Sequence, residues 1–532
     1  MDKNACKKFL TALIFLGFLV YGLAFIYRTS FIVQGKRYFC LFDDAMISMT
    51  YARNLAQGNG LVWHPDGEKV EGCTNLLWVI YMSLFHLLPI AESKISVFIQ
   101  LSGLFLLALN LLFVKKIGDL IGGKSGPITL GAMLLTAFYL PLNTWSLQGM
   151  EVSALTLLVT ASVWAAMRSM EKEKAPTLPF LLLGLGTLIR LDMVVPYIGI
   201  LIYRLFCRLE NKTRILKRGM IILFMFLASQ TLFRMVYYGD MLPNPYYLKM
   251  AGIPLKWRLL KGMIVLCLFL WKLNWVLFLV PFLMILIYKN KKSLLPAFLI
   301  LLQLGYSVYV GGDSWEWWGG ANRFISIVMP LFFILFSWSL GELISMLRAR
   351  GEAWLFQNPR MSSCLHILLL FGALVNFNAI RGPAALKEWL LLERPLHVSD
   401  HREKVEEALL LRKITKPEAR VAVAWGGIPI YFSQRRGVDL LGKNDRKIAR
   451  EPMRKIDSFR QFTPGHLKRD YAYSIGELKP HAVAELTREP NEAKPYLDES
   501  YRDFHTDKFH IFLLINSPNI NWEEVKRLEK NP

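Results

Sequence analysis

The sequence lacks several motifs that would assign it to a known class at once. No GxGxxG opens a helix after a predicted strand, so a dinucleotide-binding fold is not indicated. Its six cysteines and nine histidines show no spacing typical of a zinc site, and no repeat of fixed period is visible. Acidic residues are scarce as well, with 41 Asp and Glu against 63 Lys and Arg. These absences argue against a dinucleotide enzyme, a zinc protein and a solenoid.

What the sequence has in abundance is apolar length. Of its 532 residues 54% are hydrophobic and 20% are charged, which is too apolar for a soluble chain and too charged for one buried entirely in lipid. A membrane domain joined to a soluble part is the simplest interpretation. Much of the net charge of +22 lies beside apolar runs, so we expect its partner to be the lipid bilayer and not a nucleic acid.

Apolar segments of membrane-spanning length recur along the first 380 residues. The segment 177–203 is apolar except for Arg190-Leu191-Asp192 at its middle, and both of its flanks contain lysine or arginine. If basic flanks mark the cytoplasm, two short helices meeting at Arg190 and Asp192 fit better than one long helix. About eleven transmembrane helices result, with the other segments near 9–27, 95–114, 126–142, 151–167, 219–236, 271–288, 293–310, 324–341 and 363–379.

The placement of charge predicts the orientation of the chain. Five basic connections fall on one side, which we interpret as cytoplasmic together with the amino terminus. The first apolar run is longer than a signal-peptide core and no small-residue cleavage site follows it, so a retained helix is expected. The pattern predicts a multi-pass protein of the bacterial inner (plasma) membrane.

The segment 381–532 then lies on the periplasmic side. It is charged and mixed in pattern, with strand-like VAVAW (421–425) and IPIYF (428–432). We expect a mostly α-helical polytopic membrane domain over residues 1–380, with a first external loop at 38–94, followed by an external α/β domain over 381–532.

Two of the six cysteines, Cys40 and Cys73, fall in the first external loop. A disulfide bond across that loop is one alternative, because the compartment permits it, and two unpaired thiols are the other.

The predicted external loops share an unusual composition of acids, cations, tryptophans and tyrosines. A carboxylate near a membrane surface can take a proton from an attacking hydroxyl group, and arginine or lysine can hold the phosphate of a lipid-linked leaving group. Aromatic faces suit a sugar ring and a prenyl chain. Together these residue types indicate glycosyl transfer from a polyprenyl-phosphate sugar, although each loop alone is compatible with a solvated connection or an interfacial anchor.

The ordered set of motifs resembles a known family. The stretches are DDAMISMTYARNLAQGNGLVW with VEGCTNLLW, WSLQGMEVSALTLL, LIRLDMVVPY, YYGDMLPNPYYLKM, VGGDSWEWWGGANRFISIVMPL, VDLLGKNDRKIAR and PGHLKRDYAY. They are similar, from about residue 40 to 475, to type C (GT-C) integral-membrane glycosyltransferases, most closely to the group containing the mycobacterial terminal arabinofuranosyltransferase. The resemblance implies a polyprenyl-phosphate sugar donor, a cell-envelope glycan or lipid-glycan acceptor, an external active site and inversion at the anomeric carbon.

The resemblance also assigns the catalytic role to Asp43 and Asp44 of the first loop. We favour Asp44 as the general base, with Asp43 as its orienting partner or a metal ligand, because adjacent helical residues diverge by about 100°. The alternative is that both acids stabilise the start of the helix 44–56.

Further site residues follow from the same motifs. Arg190, Lys249 and Arg323 are candidates for the donor phosphate, or else interfacial residues. Asp192, Asp313 and Glu71 are candidates for a polar network or for a divalent cation (Mg²⁺ or Ca²⁺), the metal alternatives being Asp43 and Asp313; no cofactor is otherwise implied. The remaining substrate-binding candidates are Asn75, Asn244, Tyr247 and His466, and Asn444 and Asp445 accompany His466 on the acceptor side.

The sequence departs from the family pattern at Cys73, Leu191 and Lys443, so the identity of the sugar stays open. Two other functions compete with glycosyl transfer. A transporter or flippase of a lipid-linked glycan would show related halves and charges near the midplane, which are not apparent. A non-catalytic membrane scaffold would leave the external acids and arginines without a role.

Overall fold

The computed structural model describes residues 3–123, 126–171, 177–206, 212–316, 318–350, 358–456, 458–486 and 490–530. The chain is mostly helical. Its first part contains the α-helices Lys3–Thr29, Asp43–Ala56, Leu76–His86, Glu92–Ile121, Gly126–Ala137, Leu140–Leu147, Val152–Glu171, Leu178–Ile189, Val194–Phe206, Lys212–Tyr238, Asn244–Lys249, Leu255–Leu273, Trp275–Tyr288, Leu294–Val310, Arg323–Ser326, Met329–Arg350 and Pro359–Asn378.

The last part contains shorter elements. Its α-helices are Pro383–Trp389, Val398–Ile414, Ile428–Ser433, Arg446–Arg450, Lys494–Ser500 and Trp522–Lys530. The strands of the chain are β1 (Phe31–Val33), β2 (Lys36–Tyr38), β3 (Arg420–Val423), β4 (Arg436–Asp439), β5 (Ala482–Val483), β6 (Tyr501–His505) and β7 (His510–Leu514).

Among the described residues, seven helices are long and apolar enough to cross a bilayer. Two bent pairs, Gly126–Ala137 with Leu140–Leu147 and Leu255–Leu273 with Trp275–Tyr288, raise that number to nine if each pair is one span. The fold is therefore that of a polytopic membrane protein. The expected number of eleven also included the two helices on either side of Arg190, which are too short to cross alone.

The break expected near Arg190 and Asp192 is present. One helix ends at Ile189, a single 3-10 turn spans Leu191–Met193, and the next helix begins at Val194. Arg190 has extended backbone angles, which turn its guanidinium group toward Asp192. A second break lies inside the segment predicted as one helix over 271–288. Asn274 adopts a positive φ there and its side chain accepts the N–H of Val276, so the chain bends by 91°.

The carboxyl-terminal part forms a five-stranded sheet of order β4-β3-β5-β7-β6. Strand β3 is parallel to both β4 and β5, whereas β7 runs antiparallel to β5 and β6. The strand expected in VAVAW is β3. Helices and loops on this scaffold pack against residues of the segment 38–94, the predicted first external loop.

The stretch IPIYF is not the strand that its composition predicted, because it forms the helix Ile428–Ser433. Pro429 lies in the first turn, where its missing N–H costs no hydrogen bond. The carboxylate of Asp43, from the first external loop, accepts the N–H groups of Gly427 and Ile428. The free N–H groups at the start of this helix are thus hydrogen-bonded by a residue far away in the sequence.

Close packing joins the sheet to the first external loop. The indole N–H of Trp63 donates to the carbonyl oxygen of Gly426 at 3.1 Å, and Arg53 donates to that of Tyr431 at 2.7 Å. A Cβ atom at Gly437 of β4 would lie 2.2 Å from the Trp63 ring, so only glycine admits this contact. The sheet is thereby held directly over the helix that carries the aspartate pair.

Candidate active site

A cavity of about 230 Å³ lies between the first external loop and the loops that follow the later apolar helices. It gathers residues from all seven of the sequence motifs described above. Seven of the predicted site residues line it, namely Asp44, Asn75, Arg190, Asp192, Lys249, Asp313 and Arg323, together with Glu151, Tyr306 and Lys443. We refer to it as the first cavity.

Asp44 is held in the first cavity by two cations. Its Oδ2 accepts from the Arg323 guanidinium at 3.1 Å, and its Oδ1 forms a short contact with the Lys443 ammonium group. Burial raises the pKa of Asp44, but the charges of Lys443, Arg323 and Lys249 outweigh it and lower the pKa overall. Asp44 is therefore a firmly ionised carboxylate whose two oxygens are both engaged.

Arg323 is fixed by a two-pronged contact with Asp313. The Nε–Oδ2 and Nη2–Oδ1 distances are 2.7 and 2.8 Å, and Asp313 also accepts the backbone N–H of Ser314. This geometry leaves the Nη1 group of Arg323 to Asp44. A planar guanidinium held along one edge presents a defined orientation to anything that enters the cavity.

Lys249 is a further cation of the first cavity and takes no part in the ion pairs described above. Within the described residues its ammonium group forms no hydrogen bond or salt bridge, although it lines the first cavity. Burial and the nearby charges of Lys443 and Arg323 lower the pKa of Lys249 to about 8, against the raising effects of Asp44 and Asp313. An anion bound beside Lys249 would relieve this repulsion, so the cavity favours an anionic group at this point.

Arg190 lies on another wall of the first cavity in a network of its own. It donates twice to Asp192, at 2.6 and 2.8 Å, and once to Glu151 at 3.0 Å. Asn75 donates to the other oxygen of Glu151 and accepts from Ser48. Because two acids compensate its charge, Arg190 fixes the shape of this wall more than it adds positive charge.

Asp43 faces a second cavity of about 220 Å³ on the side of the sheet. Its Oδ1 accepts the backbone N–H groups of Gly427 and Ile428 at 3.2 and 2.8 Å. Burial raises the pKa of Asp43 to about 7, against the lowering effects of the Ile428 N–H and of Lys443. Its own helix begins without a side-chain cap at Phe42. The expected capping role therefore exists, but it serves the helix Ile428–Ser433.

Five predicted site residues line neither cavity, and two of them, Asn444 and Asp445, form hydrogen bonds within the segment 439–448. Glu71 forms a buried salt bridge with Arg234, at 2.6 and 3.1 Å. Asn244 donates to the carbonyl groups of Gly442, Lys443 and Asp445 and so supports the position of Lys443. The ring of Tyr247 lies under the guanidinium of Arg450. The contacts of Glu71, Asn244 and Tyr247 are structural, whereas His466 lines the second cavity.

Lys443 and Glu151 are site residues that sequence reasoning missed. Lys443 had appeared only as a departure from the family pattern, yet it contacts Asp44 and lines both cavities. Its distance from the first loop in the sequence gave no sign of that contact. Glu151 stood in the motif WSLQGME, and its position opposite LIRLD could have been tested as an ion pair with Arg190.

The donor set does not fit a divalent cation held by Asp43 and Asp313. Both oxygens of Asp313 are occupied by Arg323, and Lys249 adds a further positive charge beside them. In the described part of the chain, the one group of three metal-binding side chains is Asp503, His505 and His510, exposed on β6 and β7. None of these three lines either cavity.

Two other sequence features are resolved by the structure. Cys40 and Cys73 are both buried and not bonded to each other, so the unpaired alternative holds. The stretch GDLIGGKS (118–125) has the residue spacing of a phosphate-binding loop, but it begins in the last turn of the helix Glu92–Ile121 and no strand precedes it. Asp119 within it pairs with Lys7 and Lys115. Over residues 118–123, the part of this stretch that the structure describes, the chain leaves a helix and not the strand that precedes such a loop.

Comparison with solved structures defines the fold class. ArnT from Cupriavidus metallidurans in the apo state superposes with a TM-score of 0.56 and 12% identity, covering 94% of this chain and 97% of that chain. Its structure bound to undecaprenyl phosphate gives 0.57, at 12% identity and with 95% and 98% covered. The archaeal oligosaccharyltransferase AglB from Archaeoglobus fulgidus, in complex with an inhibitory peptide and a dolichol-phosphate, gives 0.56, at 9% identity and with 97% and 75% covered.

The chain therefore shares the GT-C fold of ArnT and AglB, as its motifs predicted. Within it, residues 396–523 match a family described as a domain of unknown function, DUF8728. This region contains the whole five-stranded sheet. No curated protein sequence matches the chain.

Proposed function

We propose that the protein transfers a sugar from a polyprenyl-phosphate donor to an extracytoplasmic cell-envelope glycan or lipid-glycan, with inversion at the anomeric carbon. The observation that carries this proposal is Lys249, a cation without a hydrogen-bonded or ion-paired partner in the described residues, in a cavity beside the apolar helices. The similar structures of ArnT and AglB hold undecaprenyl phosphate and a dolichol-phosphate, respectively. We place the amino terminus in the cytoplasm of a bacterial cell and the cavity on the periplasmic side.

The donor phosphate binds between Lys249 and Arg323 in this proposal. Lys249 supplies a mobile point charge, and Arg323 supplies oriented N–H donors because Asp313 holds its other edge. A phosphate bound here competes with Asp44 for Arg323 and Lys443. Asp44 thus keeps the cations in place before the donor arrives. In this proposal the prenyl chain of the donor lies along the apolar helices, and its phosphate reaches the first cavity from the bilayer.

The base is better assigned to Asp43 than to Asp44, the residue that sequence reasoning favoured. A general base works best when its pKa is near the operating pH and when it is not fully engaged by cations. Asp43, with a pKa of about 7, meets the first condition, whereas Lys443 and Arg323 make Asp44 a weak base. In this proposal Asp43 accepts the proton of the acceptor hydroxyl group, whereas Asp44 positions the cations that bind the donor phosphate.

The proposed chemical step is a single displacement. The oxygen of an acceptor hydroxyl group attacks the anomeric carbon from the face opposite the phosphate and forms the new C–O bond. Its proton passes to the carboxylate of Asp43. The bond between the anomeric carbon and the phosphate oxygen breaks with its electron pair on that oxygen, and polyprenyl phosphate leaves with its charge stabilised by Lys249 and Arg323. Attack from the opposite face inverts the configuration.

The direct test uses the purified full chain in lipid nanodiscs with a panel of radiolabelled polyprenyl-phosphate sugars and a cell-envelope glycan extract. We expect Asp43→Asn to retain donor binding and to lower the transfer rate by about 10²–10⁴. We expect Lys249→Met to weaken donor binding. Asp66→Asn is the matched control, because Asp66 is an exposed acid of the same loop.

Two outcomes would overturn the proposal. Full transfer by the Asp43→Asn protein would remove Asp43 as the base. The second outcome is measured with the protein in sealed lipid vesicles instead of nanodiscs. Translocation of the lipid-linked sugar across the vesicle membrane, with no glycoside formed, would favour a flippase.

A further inference from the structure

The second cavity lies at one edge of the sheet in the carboxyl-terminal part. Trp425 follows β3, Lys443 follows β4 and Leu486 follows β5, so each of the three mutually parallel strands contributes a residue from beyond its carboxyl end. Asp43 and Trp315 close the cavity from the membrane part. The cavity is therefore a crevice of the sheet that is roofed by the membrane domain.

The topology of the sheet makes this edge a ligand-binding position by a rule that is independent of the membrane part. From β3 the chain passes to β4 on one side, and it then returns to β5 on the other side of β3. In open α/β sheets, ligands bind outside the carboxyl ends of the strands at the point where the connections turn in opposite directions. The crevice lies at that point.

The walls of the crevice suit a sugar ring. Trp315 and Trp425 are half-buried, their ring centroids are 5.5 Å apart, and their planes meet at 79°. Two perpendicular aromatic faces bind the apolar face of a ring and its edge while leaving hydroxyl groups directed outward. Ala424 and Trp425 donate their backbone N–H groups to Glu485, which fixes the turn that carries Trp425.

The charges of the crevice favour an acidic ligand. Lys443 and Arg469 both line it, whereas Asp43 is the one carboxylate among its described lining residues. Arg469 also contacts Glu492 at 3.4 Å, but Glu492 does not line the crevice. His466 adds a ring that can donate a hydrogen bond. A ligand with a carboxylate or phosphate group would contact Arg469 here, and the Lys443 ammonium group, which is bonded to Asp44, adds positive charge to the same wall.

The crevice and the first cavity share one wall. Lys443 lines both, and the adjacent Asp43 and Asp44 face the second and the first cavity, respectively. A hydroxyl group bound at Asp43 would thus approach a donor held beside Asp44.

We propose that this crevice binds the acceptor, and that the acceptor is a saccharide carrying an acidic group. The assignment rests on the proposed glycosyl transfer for its biological meaning, but the binding itself is independent of it. Trp425 and Trp315 hold the ring, Arg469 holds the acidic group, and a hydroxyl group of the same saccharide lies at Asp43.

The test is direct binding to the full chain in detergent, measured by isothermal titration calorimetry without a donor. The probes are trigalacturonate, mannose 6-phosphate and neutral maltotriose, which separate a carboxylate, a phosphate and an uncharged ligand. We expect at least one acidic probe to bind about tenfold more tightly than maltotriose, the effect of one charge-assisted contact. Trp425→Ala and Arg469→Gln should each weaken that binding by about five- to tenfold.

The controls separate binding from folding. Arg527→Gln removes an exposed arginine of the same domain and should bind like the wild type. The melting temperature of each variant is recorded, and Trp425→Phe replaces Trp425→Ala if the latter does not fold.

Equal binding of maltotriose and both acidic probes would overturn the acidic class. Undiminished binding by both the Trp425 and Arg469 variants would overturn the crevice as the site. Donor turnover is measured on the same preparation, because its absence would overturn the proposed transfer without touching the binding result. Turnover without any saccharide binding would overturn this inference alone.

Discussion

The ammonium group of Lys443 contacts the carboxylate of Asp44, a residue 399 positions earlier in the chain. Lys443 follows β4 of the sheet, whereas Asp44 lies in the first turn of the helix after the first apolar segment. This ion pair joins the two parts of the molecule at the wall between the two cavities. Substitution of Lys443 should therefore alter the first cavity, which needs a residue from the carboxyl-terminal part as well as those of the membrane part.

Replacing Lys443 by methionine tests this joint. We expect Lys443→Met to raise the donor KM by about tenfold, because one of the cations near the phosphate position is lost. Measurement of donor saturation curves checks it. Lys447→Met is the matched control, since Lys447 is an exposed lysine four residues later. An unchanged KM in Lys443→Met would show that the lysine serves only the fold.

The pH dependence of transfer should show the ionisation of two groups, Asp43 and Lys249. Asp43 must be ionised to accept a proton, so kcat should rise with pH through about 7, the value to which burial raises its pKa. Lys249 must be protonated to hold the donor phosphate, so the donor KM should rise above about pH 8, where burial places its pKa.

Steady-state kinetics from pH 5.5 to 9.5 separate these two limbs. Lys249→Arg should move the alkaline limb upward, because arginine stays charged. A kcat that is independent of pH between 6 and 8 would contradict the role of Asp43.

The raised pKa of Asp43 should also affect the pH dependence of the protein's stability. Its pKa is higher in the folded chain than in the unfolded one, so its contribution is most favourable at low pH and is lost as the pH rises through about 7. Asp43→Asn, which keeps an oxygen for the N–H groups of Gly427 and Ile428, should therefore raise the melting temperature at pH 8 by roughly 2–4 °C. The difference from the wild type should shrink toward pH 5. A lower melting temperature at pH 8 would refute this account.

Glu71 should behave as a structural residue and not as a substrate ligand. Its partner Arg234 is almost fully buried, so Glu71→Gln leaves a buried charge without its compensating carboxylate. We expect a loss of about 3–5 kcal/mol of stability, with an unchanged donor KM in the protein that remains folded. Thermal unfolding and saturation kinetics on one preparation decide between the two roles. Loss of donor affinity with full stability would restore Glu71 to the site.

The sequence allowed the break at Arg190 to be predicted, because two charges interrupt an apolar run between basic flanks. That inference needed only local composition and an orientation rule. The helix Ile428–Ser433 could not be predicted in the same way, since the carboxylate that satisfies its first N–H groups is Asp43, 384 and 385 positions away. Apolar, β-branched and aromatic residues there gave a strand pattern that a distant contact overrode.

The same reasoning explains which site residues were found. Asp44, Arg323 and Asp313 lie in motifs rich in charge beside apolar helices, so composition marked them. Lys443 and Trp425 lie in a domain whose docking position is set by the contact of Trp63 with Gly426 and Gly437. Only the folded chain brings them to the aspartate pair.

The long reach of the contacts around Asp43 and Asp44 has a consequence for biosynthesis. The two aspartates leave the ribosome early, but their partners at Arg323, Gly427 and Lys443 follow only after nearly all the apolar helices have been inserted. Until then the carboxylates lie in an incomplete loop at the membrane surface. If the proposed transfer is correct, a truncated or unfinished chain would hold the acids without the groups that tune them, and we expect it to be inactive until residues 381–532 have folded against the first loop.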